Sequence, residues 1–394
     1  MMSDRETRVR RVRVHPEALQ WAIDRSSDPE RLRAQFPSLP AWLSGQKQPT
    51  MRQLEAFARA TSTPFGFLLL DRPPDEDLPD ALASMPPDAA SSRPSASLLS
   101  VMQTMQTRQA WMRDTCIALG LPPLSFVGAA SIQSDPVHVA SHMQQTLNLD
   151  SGWAQSLPDW THARRRLIDA ADAAGVVVAV DAMADHAAHR PRDPAAVRGF
   201  ALVDSYAPFV LLNAADDASV QIVALVQGLA HLWVGTSAAF DLNHLRPAPD
   251  ATETVCFRIA TAFLLPASDV RNAWSDACRF DDPVGRLARM FKVHEPFVAQ
   301  RCVDRQLLDP QDGLVMRPSA SPGARRRSRS LRGVIDRLGR RFASMIVEAA
   351  CAGDVLYHEA YALTGLAGTD FDRLVLALMR ANPRTRRGAA PRRR

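Results

Sequence analysis

The sequence predicts an α+β protein in which helical segments flank a small sheet followed by a buried helix. Two observations carry this prediction. Short runs at 176–181, 199–203 and 209–212 have the branched and aromatic composition of strands. The stretch from Gln221 to Trp233 then repeats apolar residues at helical spacing, which indicates a largely buried helix.

Length and composition place the chain among globular proteins. Its 394 residues suffice for two or three domains, and 46% of them are hydrophobic. No apolar run has the length of a membrane span, and residues 1–30 are too charged for a signal peptide. The 5 cysteines are scattered without a CxxC pair, which indicates reduced thiols. We therefore expect a cytoplasmic protein without membrane contact.

The N-terminal segment 13–71 predicts a small helical domain that resembles a helix-turn-helix. Gly45 would end its recognition helix, and Pro49-Thr50 would start the next one. Pro37 and Pro40 shorten the recognition helix, because proline disfavours a continuing helix. Residues 15–71 also carry six basic and six acidic side chains. Their net charge of zero gives little electrostatic attraction to duplex DNA. Operator binding and protein docking both remain open for this domain.

The remaining segments follow in order along the chain. Residues 72–97 are rich in Pro, Asp and Ser and predict a linker, and 98–309 form the main domain. A basic loop at 310–330 precedes a C-terminal helical region at 331–380 and a basic tail at 381–394. Periodicity predicts helices at 96–119, 163–174, 253–265, 267–277, 284–291, 295–307, 331–352 and 356–363.

The net charge of +5 conceals two basic stretches. Residues 317–341 contain nine Arg and one Asp, residues 380–394 contain seven Arg, and the rest of the chain is therefore at −10. Arginine runs of this kind contact phosphates without reading sequence, and the lack of interleaved aromatics argues against base stacking. Weak DNA or RNA contact and an inert solubilising role both remain open. The candidate nucleic-acid-binding residues are Arg325, Arg326, Arg327, Arg329, Arg392, Arg393 and Arg394.

The buried helix has the apolar pattern of a zinc-protease helix but lacks most of its catalytic side chains. Such helices carry H-E-x-x-H, in which two histidines on one face bind the metal and the Glu activates water. The five corresponding positions here run from Gln227 to His231, with Gly228 second. Of the three functional side chains, His231 alone remains.

Three segments in order resemble the ImmA/IrrE family in its long form with an N-terminal helix-turn-helix-like domain. They are RGFALVD from Arg198, the helix from Gln221, and CFRIATAFLLP from Cys256, and the resemblance covers about 13–372. It implies a zincin-like core made of a small sheet and an active-site helix. Family members regulate mobile elements and stress responses, typically by cutting a repressor.

The resemblance also implies that the active site is degenerate. The first metal histidine falls on Gln227, the general base on Gly228, and the third ligand on Ala262. Phe257 replaces a neighbouring Asn, and His231 is expected to be a packed histidine. We therefore expect no intact catalytic residue, no bound metal and no cofactor, because one imidazole does not hold zinc.

The alternative is a metal site built from other residues, with zinc as the cofactor. Asp241, His244, Glu253 and Cys256 lie near the helix in sequence, although their spacing matches no ligand pattern. In the family the positions of Glu253 and Cys256 are usually structural.

Three functional hypotheses follow from these observations. The first is a catalytically silent regulatory protein that binds a protein partner in a mobile-element or toxin–antitoxin-like setting. The second is an active zinc endopeptidase that cleaves a repressor with non-standard ligands. The third is a DNA-binding transcriptional regulator.

Overall fold

A computed structural model describes residues 11–24, 26, 29–61, 63–73, 96–181, 198–240, 251–309 and 330–381. The described chain divides into two compact units, with the boundary near residue 103. The first contains residues 11–73 and the start of the long helix at 96–118, and the second contains the remaining residues.

The first unit packs short helices around a small aromatic core. Its elements are α1 (Pro16–Asp24), α2 (Pro29–Gln35), α3 (Leu39–Leu43), α4 (Met51–Ala60) and a 3₁₀ turn (Phe65–Leu69). Phe36, Trp42 and Phe57 meet edge-on or tilted at centroid distances of 5.5–6.2 Å. The helix expected to read DNA, α3, has five residues, as the two prolines predict. Residues 13–71 are thus helical, but α3 is too short to fill a DNA groove.

The second unit is built mainly from helices around one sheet. Its helices are α5 (Ala96–Ala118), α6 (Pro136–Thr146), α7 (Trp160–Ala174), α8 (Ala218–Val234), α9 (Ala251–Leu264), α10 (Ala267–Ala277), α11 (Pro283–Phe291), α12 (Glu295–Asp304), α13 (Leu331–Leu338), α14 (Arg340–Ala352), α15 (Tyr357–Thr364) and α16 (Thr369–Ala381). The α+β class is confirmed. The sequence reading missed α6 and α16.

Four strands form the sheet in the order β1-β3-β2-β4: β1 (Val177–Asp181), β2 (Gly199–Leu202), β3 (Phe209–Asn213) and β4 (Ala238–Phe240). β1 runs parallel to β3, while β2 is antiparallel to both β3 and β4. The first three strands confirm the predicted runs. β4 was not predicted, because three residues carry too little periodicity to be recognised.

The two faces of β3 pack against different helices, because successive side chains of a strand point to opposite faces. Val210 and Leu212 belong to the core cluster that contains α8 and α9. Phe209, on the other face, lies 6.4 Å from the ring of Phe342 in α14. Trp111 of α5 packs edge-on against Phe342 at 5.8 Å. The sheet therefore separates the α8 core from a layer that contains α5 and α14.

Gly339 divides the helix that the sequence predicts at 331–352. Its φ of +78° ends α13 and begins α14. A Cβ at this position would lie 2.5 Å from Cγ1 of Val177 and 3.1 Å from the carbonyl oxygen of Val178. The chain thus bends where its backbone meets strand β1, and this contact excludes a side chain.

The Gly339→Ala variant tests this close approach. Alanine introduces the left-handed strain of about 1–2 kcal/mol and forces β1 away from the bend, which costs about 1–3 kcal/mol more. Gly353→Ala is the matched control, since Gly353 has a φ of +83° and open space around its Cβ position. Urea unfolding should show the larger loss for Gly339→Ala, and equal losses would contradict the close contact.

Several predicted segments lie outside the described residues. They include most of the linker (74–95), most of the basic loop (310–329) and most of the tail (382–394). Within the described ranges, no helix is long and apolar enough to cross a membrane.

Candidate functional site

Helix α8 is held in place at its C-terminus by a glycine cap and by a neighbouring loop. Gly235 ends it with a φ of +82°. The carbonyls of Leu232 and Trp233, left without helical partners at the C-terminus, accept hydrogen bonds from the amides of Gly128 (2.9 Å) and Ala130 (2.8 Å). The loop at 128–130 therefore fixes the end of α8 that carries His231.

Trp233 fixes the rotation of α8 about its axis. Its ring stacks on Phe126 at a centroid distance of 4.3 Å, and its Nε1 donates to Nδ1 of His142 at 3.1 Å. The side chain is fully buried. These contacts turn the face with Gln227 and His231 toward α9, because residues four apart share one face of a helix.

Glu253 in the first turn of α9 meets both side chains of this face. Nε2 of Gln227 donates to Oε2 of Glu253 at 3.0 Å, and Nε2 of His231 lies 3.1 Å from Oε1. The second contact is an ion pair rather than an aligned hydrogen bond. All three residues are buried. We call Gln227, His231 and Glu253 the carboxylate cluster.

Thr236 approaches the other ring nitrogen of His231. Its Oγ1 lies 3.3 Å from Nδ1, and its backbone amide donates to the carbonyl of His231 at 3.1 Å. The end of α8 thus places a hydroxyl beside the ring. When both ring nitrogens carry protons, Nδ1 faces an acceptor in Thr236 and Nε2 faces the negative charge of Glu253.

The surroundings of His231 favour the imidazolium form. Burial lowers the pKa of His231, but Cys256 and Glu253 raise it by more, and the net pKa is about 10. The ring is therefore charged at neutral pH and forms a buried ion pair with Glu253. A pair of this kind contributes little net stability, but removing one partner is costly because it leaves an unpaired buried charge.

The donor set of the carboxylate cluster does not fit a zinc site. Gln227 presents its amide nitrogen, a hydrogen-bond donor, to Glu253, and its buried Oε1 has no hydrogen-bond partner among the described residues. Gly228 carries no side chain to activate water. In the part of the chain that the structure describes, no group of three or more His, Cys, Asp or Glu side chains could hold a metal ion.

Ala262, the residue aligned with the family's third ligand, lies on a different face of α9 from Glu253. This residue lies nine positions after Glu253 on α9, which is two and a half turns at about 3.6 residues per turn. Ala262 therefore faces away from the side of α9 that carries Glu253, and it is Glu253 that meets His231. The resemblance treats the position of Glu253 as usually structural, and its contact with His231 does not contradict that expectation.

A pattern in the sequence could have found Glu253. Cys256, Phe257 and Ala260 follow it at spacings of three, four and seven, and all four residues are buried. A charged residue on the buried face of a helix needs a partner, and His231 on the neighbouring buried helix is one candidate.

Other candidate residues cannot be placed. Asp241 and His244 lie outside the described residues. So do all seven arginines proposed to contact nucleic acid, from Arg325 to Arg329 and from Arg392 to Arg394.

Two family models match the chain, and one of them covers this site. The model of the IrrE N-terminal-like domain, a peptidase family, matches residues 171–303. The chain contains an IrrE N-terminal-like domain. This match runs from the end of α7 to α12 and confirms the resemblance to the ImmA/IrrE family for the segment that holds the whole carboxylate cluster. It also makes this segment a metallopeptidase-fold domain.

The IrrE N-terminal-like domain is followed by a second matched segment. A family described as a domain of unknown function (DUF8813) matches residues 338–375, which begin at the bend before α14 and reach into α16. No curated protein and no solved structure matches the chain.

A double-mutant cycle tests the buried ion pair of the IrrE-type domain. We expect His231→Ala and Glu253→Ala each to lower the free energy of unfolding by about 3–5 kcal/mol. The double variant should lose less than the sum, because no unpaired charge remains. Losses that add without coupling in urea unfolding would show that the two side chains do not interact.

The same ion pair predicts a pH dependence. The folded pKa of His231, about 10, lies above its usual value of 6.5. Its contribution to stability is therefore complete below about pH 6.5 and is lost as the pH rises toward 10. His231→Gln should remove this part of the decline, and an unchanged decline would contradict the assignment.

Proposed function

We propose that this IrrE-type domain no longer hydrolyses peptide bonds and that the protein acts by binding a protein partner in a regulatory role. One observation carries the proposal. The carboxylate of Glu253 is bound directly by His231 and Gln227, so the groups that would surround a metal neutralise one another instead.

Peptide hydrolysis by a zincin needs three ligands, an open coordination position and a base near the metal-bound water. This domain supplies one imidazole and one carboxylate that contact each other, and the thiol of Cys256 interacts with the same imidazole. The base position, Gly228, has no ionisable group. The donor set therefore supports loss of both metal binding and water activation.

The burial of the carboxylate cluster supports a structural role for the former site. His231 is fully buried, and Gln227 and Glu253 are 3% and 7% exposed. Side chains packed this closely link α8 to α9 and offer little surface to a substrate. A function carried out by this protein then depends on its outer surface, which is the basis for proposing a binding protein.

The biological setting of this proposal follows from the family resemblance. ImmA/IrrE proteins regulate mobile elements and stress responses, so we extend the proposal to a mobile-element or toxin–antitoxin-like setting. A silent member could retain the surface that recognises a repressor while losing the ability to cut it.

Restoring the motif tests the proposal. Gln227→His combined with Gly228→Glu supplies the missing ligand and base beside His231 and Glu253. Without zinc, the added buried carboxylate should destabilise the fold by a few kcal/mol. Zinc should reverse this loss, because a ligand that binds the folded state raises its melting temperature. Thermal melts with zinc or chelator measure both effects.

A matched control adds Glu253→Gln to the restored variant. Zinc should no longer stabilise it, because the third ligand is lost. Wild-type protein should show neither zinc stabilisation nor cleavage of denatured protein substrates. Zinc-dependent cleavage by the wild type that disappears in His231→Ala would contradict the proposal and favour the active peptidase.

A further inference from the structure

An extended segment at the start of the described chain lies beside the loop that precedes α4. Arg11 and Thr50 form an antiparallel bridge, and the amide of Val12 donates to the carbonyl of Pro49 at 2.8 Å. The amide of Val14 donates to Oε1 of Gln48 at 3.0 Å. These bonds join residues 11–14 to residues 47–50 within the first unit.

The pairing turns two arginines outward. Val14 is buried and Val12 packs against the same core, so the alternating side chains of Arg11 and Arg13 are exposed. Lys47, in the paired loop, and Arg52, in the first turn of α4, are exposed as well. We call Arg11, Arg13, Lys47 and Arg52 the basic ribbon.

Cations outnumber acids in the segments that form the basic ribbon. Residues 11–14 and 44–54 contain its four cations and no Asp or Glu. Among the described residues, none of the four forms an ion pair, and Arg11 donates to the carbonyl of Gln48 at 2.8 Å. Glu55 follows Arg52 by three residues in α4, and Asp71 pairs with His15 at 3.0 Å.

We propose that the basic ribbon binds the phosphate backbone of nucleic acid without reading its sequence. Four exposed cations on two segments that are hydrogen-bonded to each other can meet successive phosphates, and phosphate contacts supply affinity but no base readout. The ribbon carries no aromatic side chain that could stack on a base. Sequence-specific reading would need a longer helix than α3.

This surface differs from the one that a helix-turn-helix would use. The contact residues lie on an extended segment, a loop and the first turn of α4, rather than on α3. The charge balance of residues 15–71 conceals the ribbon, because Arg11 and Arg13 precede that range. The inference does not depend on whether the IrrE-type domain is active.

The experiment compares two full-length variants with equal charge loss. Arg13→Gln, Lys47→Gln and Arg52→Gln remove three ribbon cations and leave Arg11, which bonds to Gln48, in place. Arg31→Gln, Arg33→Gln and Arg59→Gln remove three exposed cations from α2 and α4 of the same unit. Both variants keep the arginine-rich segments beyond residue 309, whose contribution cancels in the comparison.

Fluorescence anisotropy measures binding to a random 30-base-pair DNA duplex across a series of salt concentrations. Each lost phosphate contact should lower the slope of log affinity against log salt by about 0.9. We expect the ribbon variant to lose about 2–3 in slope and the control variant to keep the wild-type slope. The same titration with single-stranded RNA shows whether the ribbon prefers the phosphates of duplex DNA or those of RNA.

Three results would overturn the proposal. Equal slope losses in both variants would assign binding to diffuse charge, and an unchanged slope in the ribbon variant would leave the ribbon merely solvated. Polyglutamate that competes as well as DNA at equal charge concentration would indicate an acidic protein partner. The single variant Lys47→Gln, in a flexible exposed side chain, repeats the test with a slope loss of about 0.9 should the triple variant unfold.

Discussion

The contact between Glu253 and His231 is the constraint on which the rest of the second unit depends. A buried carboxylate must be paired or neutralised, and here an imidazolium on α8 and an amide from the same helix face satisfy it. The requirement fixes the rotation of both helices. Trp233 and the loop at 128–130 position α8, while α9 brings its first turn to the ring of His231. In an active metalloprotease these side chains would face a metal cation. In this protein the positive charge beside Glu253 is the imidazolium of His231.

This arrangement explains how a zincin-like frame can persist without its chemistry. Replacing one histidine by Gln227 and the base by Gly228 removes a ligand and a charge, which would leave Glu253 unpaired. Protonation of His231 offsets the charge of Glu253, and the pKa of His231 is raised by its interactions with Cys256 and Glu253. The fold therefore does not need the metal to balance its buried acid. We propose that the functions of this protein use exposed surfaces, such as the basic ribbon of the first unit.

Much of the fold could be predicted from the sequence, because periodicity reports burial directly. The strands around Val178, Ala201 and Val210, and the buried helix α8, all carry a repeated apolar pattern. The break at Gly339 could not be predicted, because it depends on the approach of a distant strand, and the surrounding pattern continues as a helix. β4 is too short to show a pattern. The bridge between Arg11 and Thr50 joins single residues far apart in sequence, and such pairing has no local signal.

The candidate site was predictable on α8 but not on α9. The loss of the motif at Gln227 and Gly228 can be seen directly in the sequence. The position of the third acid, by contrast, depends on which face of α9 meets α8. The family resemblance placed the third ligand at Ala262, while the structure brings Glu253 to His231. The central claim is that protein charge has replaced the metal, and the zinc content of wild-type protein purified without chelator tests it most directly. The account predicts far less than one zinc per chain, and about one zinc per chain, lost in both His231→Ala and Glu253→Gln, would contradict it.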